Sequence, residues 1–135
     1  MENHQFTLAN NPADLMSVQS RLQAVFQASE IRPRVISAVN LALGEWIENV
    51  IQHAYPDGAA HQIQVGCEFA PGAVIVQVTD DGRPFDPCAY PEMEAAGPGS
   101  AFAGRGIHLI RHLMDRMEYE RRGDRNVLRM TKNLA

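Results

Sequence analysis

Residues 62–80 carry two runs of strict alternation joined by a tight turn. In Q-I-Q-V-G-C-E-F, Ile63, Val65, Cys67 and Phe69 share one face, while Gln62, Gln64 and Glu68 take the other. Pro71-Gly72 supplies the turn, and A-V-I-V-Q-V-T-D returns with Val74, Val76, Val78 and Asp80 in phase. A period of two with a Pro-Gly break reads as a β-hairpin with one apolar face. An isolated hairpin is marginal in water and such a face has to be covered. The remainder of the chain must therefore supply further strands and a helical layer.

It has the means. Asn11-Pro12 reads as an N-cap followed by proline at the first helical position. Leu15, Val18, Leu22, Val25 and Phe26 follow at helical spacing, so residues 12–28 are predicted to form an amphipathic helix. A second helix is expected from about Pro33 to Ala54, with Val35, Val39, Leu43, Trp46, Ile47 and Val50 on one arc, ending before Y-P-D-G. His4–Leu8 alternates like a short strand. A third helix is expected over about 105–115, and short strands over about 116–121 and 126–132 flank Gly123-Asp124. Strands with one apolar face and helices to cover it give a two-layer α+β sandwich. Residues 82–104 hold four of the chain's eight prolines and little periodicity. That is a long loop, and long loops within compact domains are usually lids or binding segments. At 135 residues, with no repeat and no linker, the chain is expected to be a single domain over 1–135.

Composition excludes several functions. No apolar run approaches the roughly 18 residues of a membrane span, and M-E-N-H-Q-F lacks the regions of a signal peptide, so a soluble cytoplasmic domain without a membrane partner is expected. The net charge of −4 is uneven. Residues 1–104 carry four basic and twelve acidic side chains, whereas 105–135 carry eight basic and four acidic. An acidic whole without aromatic interleaving of the basic residues argues against nucleic acid. The basic flank reads as solvated faces of the terminal elements or as an electropositive margin near a phosphate or an acidic partner. Cys67 and Cys88 have no metal-ligand spacing and make no disulfide framework. Cys67 reads as a small buried hydrophobe and Cys88 as more exposed. His108 and His112 are one turn apart, but no carboxylate or cysteine completes them as a metal site.

Three local features remain. Glu45, Asn49 and His53 form a stripe on the edge of the second helix, with successive members about 40° apart. An asparagine oxygen is a hard ligand suited to Mg²⁺, and a carboxylate one turn away suits a general base in phosphoryl transfer; Glu48 points elsewhere. Asp80 ends a strand on the side of three valines, where a carboxylate needs a donor, and an exocyclic amine of adenine is one that a pocket could supply. Capping the turn is the alternative. Gly82 follows, allowing close backbone approach. In G-R-G-I-H-L-I (104–110), two glycines at the opening of an apolar helix after a loop suggest free N–H groups for an anion. Arg105 between them is placed to add a charge-assisted contact.

Together these segments resemble a known family. E-x-x-x-N-x-x-x-H-A-Y (45–55), D-D-G-R-P-F-D-P (80–87) and G-R-G-I-x-L-I-x-x-L-M-D (104–115) look like the N, G1 and G2 boxes of the GHKL ATPases. Y-x-x-x-x-G-x-x-N-V-L-R-M (119–130) is similar to the end of the bacterial anti-sigma-factor serine/threonine kinases. The resemblance implies a Bergerat, histidine-kinase-like ATPase fold: a mixed, mainly antiparallel sheet covered by helices on one face, with an ATP lid over about 82–104. It implies ATP and Mg²⁺ as cofactors, Glu45 as catalytic base and Asn49 as the Mg²⁺ ligand. The nucleotide-binding set would be Asn49, His53, Asp80, Gly82, Phe85, Gly104, Arg105, Gly106 and Ile107. Asp80 would receive the adenine amine, and Gly104 and Gly106 would cradle the phosphates. The implied function is phosphorylation of a serine or threonine on a STAS-domain anti-anti-sigma partner, with that partner or a sigma factor bound, often by a homodimer. The alternative is a regulatory module that sequesters a sigma factor or other partner without kinase activity. Pro84 stands where many histidine kinases have a second glycine, and the lid lacks a long glycine run. No upstream helix pair bears a phosphoacceptor histidine, as a complete histidine kinase would require.

Overall fold

The computed structural model describes residues 3–89 and 101–135, the side chains of 101–105 excepted. Five strands form one sheet: β1 (Asn3–Ala9), β2 (Gln62–Ala70), β3 (Ala73–Asp80), β4 (Arg116–Arg122) and β5 (Arg125–Asn133). Their spatial order is β1-β2-β3-β5-β4. All four pairings are antiparallel, which corrects the expected mixed sheet. For β2–β3 and β4–β5 the reason lies in the connections, which are tight hairpins without the crossover that a parallel neighbour would require. Gly72 and Gly123 take the positive φ values of 77° and 64° at these two turns.

Three helices lie on one face: α1 (Pro12–Ala28), α2 (Pro33–His53) and α3 (Ala101–Leu113). The first is capped as its sequence predicts, with the Asp14 amide donating to Asn11 Oδ1 at 2.9 Å. Asp14 Oδ2 in turn accepts the Ala9 amide at 2.9 Å, which binds the end of β1 to the start of the helix. Gln19 and Asn40 join α1 to α2 by exchanging side-chain to backbone hydrogen bonds of 3.0 and 3.3 Å.

The core sits between the layers. Ile63, Val65, Cys67, Val74, Val76, Val78, Leu128 and Met130 from the sheet are buried against Leu22, Phe26, Val39, Leu43, Trp46, Ile47 and Ile110 from the helices. Burial pushes the Cys67 thiol up to about 12, as expected for an inert core cysteine. The register places Val78 beside Leu128 and, at the end of the same face, Asp80 beside Asn126. On the next strand Tyr119 stands beside Leu128 and Arg121 beside Asn126. One margin of an otherwise apolar face is therefore polar. A slip of one residue would turn all of these side chains to the other side of the sheet.

Candidate functional site

Asp80 is buried to 1% exposure at the end of β3. Its two oxygens differ. Oδ1 accepts the Gly82 amide at 2.8 Å and Asn126 Nδ2 at 2.9 Å. Oδ2 is buried and has no partner among the described residues. Burial holds the carboxyl above its ordinary range, opposed by the hydrogen bonds from Asn126 and Gly82. A buried carboxylate oxygen without a donor is costly, so Oδ2 is suited to accept from a ligand that brings one. One oxygen of this side chain therefore caps the turn, and the other is left without a donor among the described residues.

Asn126 is 3% exposed. Besides Asp80, its Nδ2 donates to the carbonyls of Gly82 at 3.3 Å and Arg83 at 2.9 Å. Its Oδ1 accepts from the Tyr119 hydroxyl and, at 3.2 Å, from an Arg121 guanidinium nitrogen. The same Arg121 nitrogen donates to the Gly82 carbonyl at 2.8 Å. The sequence reading missed the roles of these three residues, although a signal was present: in N-V-L-R-M, Asn126 is in phase with the buried Leu128 and Met130. An amide on an apolar stripe requires partners.

Gly82 joins this margin to the end of α2. A Cβ there would fall 2.4 Å from the Ala54 Cβ and 2.8 Å from the Ala54 carbonyl oxygen, which accepts the Arg83 amide at 3.0 Å. The glycine is thus required by contact with the helix end within the protein itself. On the far side of that helix end, His61 is held between two carboxylates. Its Nε2 lies 3.0 Å from Asp57 and its Nδ1 3.1 Å from Asp81, and the ring stacks on Tyr55 at 4.1 Å. The buried Tyr55 hydroxyl has no partner among the described residues. Desolvation, then the Asp80, Asp81 and Asp57 charges, raise its pKa.

Glu45 and Asn49 are half-buried on α2, one turn apart, while Glu48 is exposed. Glu45 faces α3: a Cβ on Gly106 would lie 3.1 Å from Glu45 Oε2. The first and third boxes thus meet at Glu45 and Gly106, residues distant in sequence. The expected start of α3 needs correction. The helix begins at Ala101 rather than about 105 and ends at Leu113. Gly104, Arg105 and Gly106 therefore lie within it, and the free N–H groups of its first turn lie upstream of Gly106. Good helix formers at Ala101 and Ala103 carry the helix through the two glycines. The side chain of Arg105 lies outside the described residues. Ile107 is 1% exposed and packs as a core residue. His53 is exposed in the last turn of α2.

The predicted lid of 82–104 divides. Phe85 stacks on Trp46 with ring centroids 6.3 Å apart, fastening the stem to α2. A single 3-10 turn follows at Pro87–Ala89, where an Arg111 nitrogen donates to the Pro87 carbonyl at 2.7 Å. The exposed Cys88 thiol donates to the Met117 carbonyl at 3.4 Å, and burial and the Asp86 charge raise its pKa. Residues 90–100 lie outside the described residues, and 101–104 belong to α3. His108 and His112 stack at 6.0 Å, and among the described residues no group of three or more His, Cys, Asp or Glu forms a metal site. Among them too, no helix is long and apolar enough to cross a membrane.

Comparison with known proteins bears on this arrangement. The serine/threonine-protein kinase BtrW of Bordetella bronchiseptica is 26% identical over 104 residues, covering 76% of this chain and 73% of that protein. The RsbU and RsbW domains of a Mycobacterium tuberculosis protein align with a TM-score of 0.73 at 17% identity, over 99% of this chain. This chain spans only 33% of that one. In the SiaB–SiaC complex from Pseudomonas aeruginosa, the matched chain aligns with a TM-score of 0.62 at 15% identity, over 96% of this chain and 88% of that one. At such identities the structures establish a shared fold. The sequence pattern of the histidine kinase-like ATPase domain matches residues 8–132, nearly the whole length, and this chain belongs to that family.

Proposed function

We propose that this domain binds Mg-ATP and transfers its γ-phosphoryl group to a serine or threonine of a STAS-type anti-anti-sigma partner, as a cytoplasmic switch kinase. The observation that carries the reading is Asp80, whose Oδ1 is committed to protein donors while the buried Oδ2 is left for a ligand amine. The name of the Bordetella relative, a serine/threonine-protein kinase, supports the kinase step. The fold likeness to the RsbW domain and to the SiaB–SiaC complex supports a protein partner.

The residues present fit the nucleotide. Asp80 accepts the adenine amine, with Gly82 giving the backbone its close path beside it. Asn49 offers an amide oxygen of the hardness Mg²⁺ prefers. ATP supplies the phosphoryl group and Mg²⁺ neutralises its charge. Gly106 leaves room for the Glu45 carboxylate at the face of α3, where the phosphates are expected. Glu45 accepts the proton of the partner's hydroxyl as its oxygen bonds to phosphorus, and ADP leaves with the electrons of the broken bridge bond. A homodimer is part of the proposal, with one site in each copy.

The test is calorimetric titration with ATP, with and without Mg²⁺, followed by phosphate incorporation into a purified STAS protein encoded nearby. Wild type is expected to bind ATP in a Mg²⁺-dependent way and to label the partner. Glu45→Ala is expected to retain ATP binding while transfer falls by about 10²–10⁴-fold. Absence of ATP binding would end the nucleotide reading. ATP binding without transfer, together with retention of a sigma factor, would favour the sequestering module instead.

A further inference from the structure

Resting on the nucleotide reading above, the network behind Asp80 has a more specific consequence. Asp80 has two oxygens that a free rotation would interchange. The structure breaks that equivalence by one side chain from another strand. Asn126 directs Nδ2 to Asp80 Oδ1 at 2.9 Å, and the Gly82 amide adds a second donor to the same oxygen at 2.8 Å. With both donors on one side, the other oxygen is turned away from the protein's own hydrogen bonds.

Asn126 is itself prevented from flipping. Its oxygen accepts from the Tyr119 hydroxyl and Arg121, and its nitrogen faces three acceptors: Asp80 Oδ1 and the carbonyls of Gly82 and Arg83. A flipped amide would set its oxygen against three acceptors and its NH₂ against two donors. Arg121 reinforces this by donating to the Gly82 carbonyl at 2.8 Å and, through Nε, to the Gly123 carbonyl at 3.1 Å. The chain of constraint runs from the β4–β5 hairpin through one amide to one carboxylate oxygen. We infer that Asn126, held by Tyr119 and Arg121, is a positioning residue that presents Asp80 Oδ2 as a fixed acceptor and so selects a purine bearing an exocyclic amine over one bearing a carbonyl at that position. A fixed acceptor discriminates in this way because an oxygen in place of the amine would leave two acceptors facing each other in a buried site.

The experiment compares ATP with inosine triphosphate, which has a carbonyl oxygen where ATP has the amine, by titration against wild type, Asn126→Ala and Tyr119→Phe. Wild type is expected to prefer ATP by about 100-fold or more. In Asn126→Ala the preference is expected to shrink by about tenfold, with inosine triphosphate affinity little changed. A merely structural role would weaken both nucleotides together and preserve the ratio, and that result would overturn the inference. Tyr119→Phe removes only the hydroxyl behind Asn126 and is expected to shrink the preference by about threefold; if Asn126→Ala does not fold, this variant decides, and an unchanged ratio overturns the inference. Wild type that binds both nucleotides equally overturns it as well. Wild type that binds neither removes the nucleotide reading, and the inference falls with it.

Discussion

The two ends of the candidate site are built differently. At the Asp80 end, β3, β5, the β4–β5 hairpin and the end of α2 converge, and Asp80 Oδ1, the Asn126 amide and the Gly82 backbone are satisfied by other protein groups. At the Glu45 end, two helices face each other across the open side of Gly106. Among the described residues, neither Glu45 nor Asn49 makes a side-chain hydrogen bond, and α3 follows directly on residues 90–100. The sheet end is preorganised, so it is suited to recognition. The helix end leaves Glu45 and Asn49 without hydrogen-bond partners among the described residues, as the proposed transfer step would require. Damage at the first should appear as lost affinity and damage at the second as lost rate.

A large loss of affinity is expected at the recognition end. In Asp80→Asn the amide oxygen can keep the bonds from Gly82 and Asn126, but an NH₂ then occupies the place of Oδ2. A donor facing the adenine amine is expected to cost about 100-fold in ATP affinity. The fold should not suffer. Burial raises the Asp80 pKa, so the ionised carboxylate lowers stability at pH values above its ordinary 3.8, and that loss is relieved as pH falls through the raised value. The variant is therefore expected to melt at or above the wild-type temperature at neutral pH, with the difference fading in acid. Calorimetry and a melting series check both parts, and normal ATP affinity would remove Asp80 from recognition.

A smaller effect is expected at the other end. In Gly106→Ala the new Cβ would stand 3.1 Å from Glu45 Oε2, so the carboxylate has to shift by a few tenths of an ångström. Transfer rate is expected to fall by about tenfold, since small misplacements of a base are costly, while ATP affinity changes by less than about threefold. Single-turnover transfer beside a binding titration separates the two. A loss confined to affinity would erase the contrast between the ends.

How much of this was legible beforehand follows from the range of the interactions. The hairpin, α1 and α2 are written in local periodicity and punctuation, and the structure keeps α1 at 12–28 and α2 at 33–53. The start of α3 was misplaced because two glycines look like a boundary, whereas the residues before them favour helix strongly enough to override it. Asp80 could be singled out as a carboxylate in phase with valines. Its partner Asn126 could not be assigned, because that pairing depends on β5 lying beside β3, a register no local pattern announces. The same holds for Gly82, whose requirement comes from Ala54 on another element. Long-range neighbours decide these roles.

The smallest effect concerns how the recognition end is tied to the loop after α2. His61 faces Asp57, Asp81 and the Tyr55 ring, and Arg125 lines the same hollow. The hydrogen bond that His61 donates to Asp57 comes first in raising the His61 pKa above 6.5. The Ala59 amide, then His61, lower that of Asp57 below 3.8. For the histidine, the stabilising charge is fully present below 6.5 and is lost as pH rises through the raised value. For the aspartate, the contribution is present above 3.8 and is lost as pH falls through the lowered value. The pair therefore acts between those limits. His61→Gln is expected to melt about 1–2 °C below wild type near pH 5.5, with the gap closing at a pH above the raised value. Equal gaps at both pH values would mean that ring stacking on Tyr55, rather than charge, fastens the loop. ATP affinity should follow the same trend only weakly, because Asn126 and Gly82 hold Asp80 independently of His61; a steep pH dependence of binding that His61→Gln abolishes would show that the recognition end is less self-sufficient than its hydrogen bonds imply.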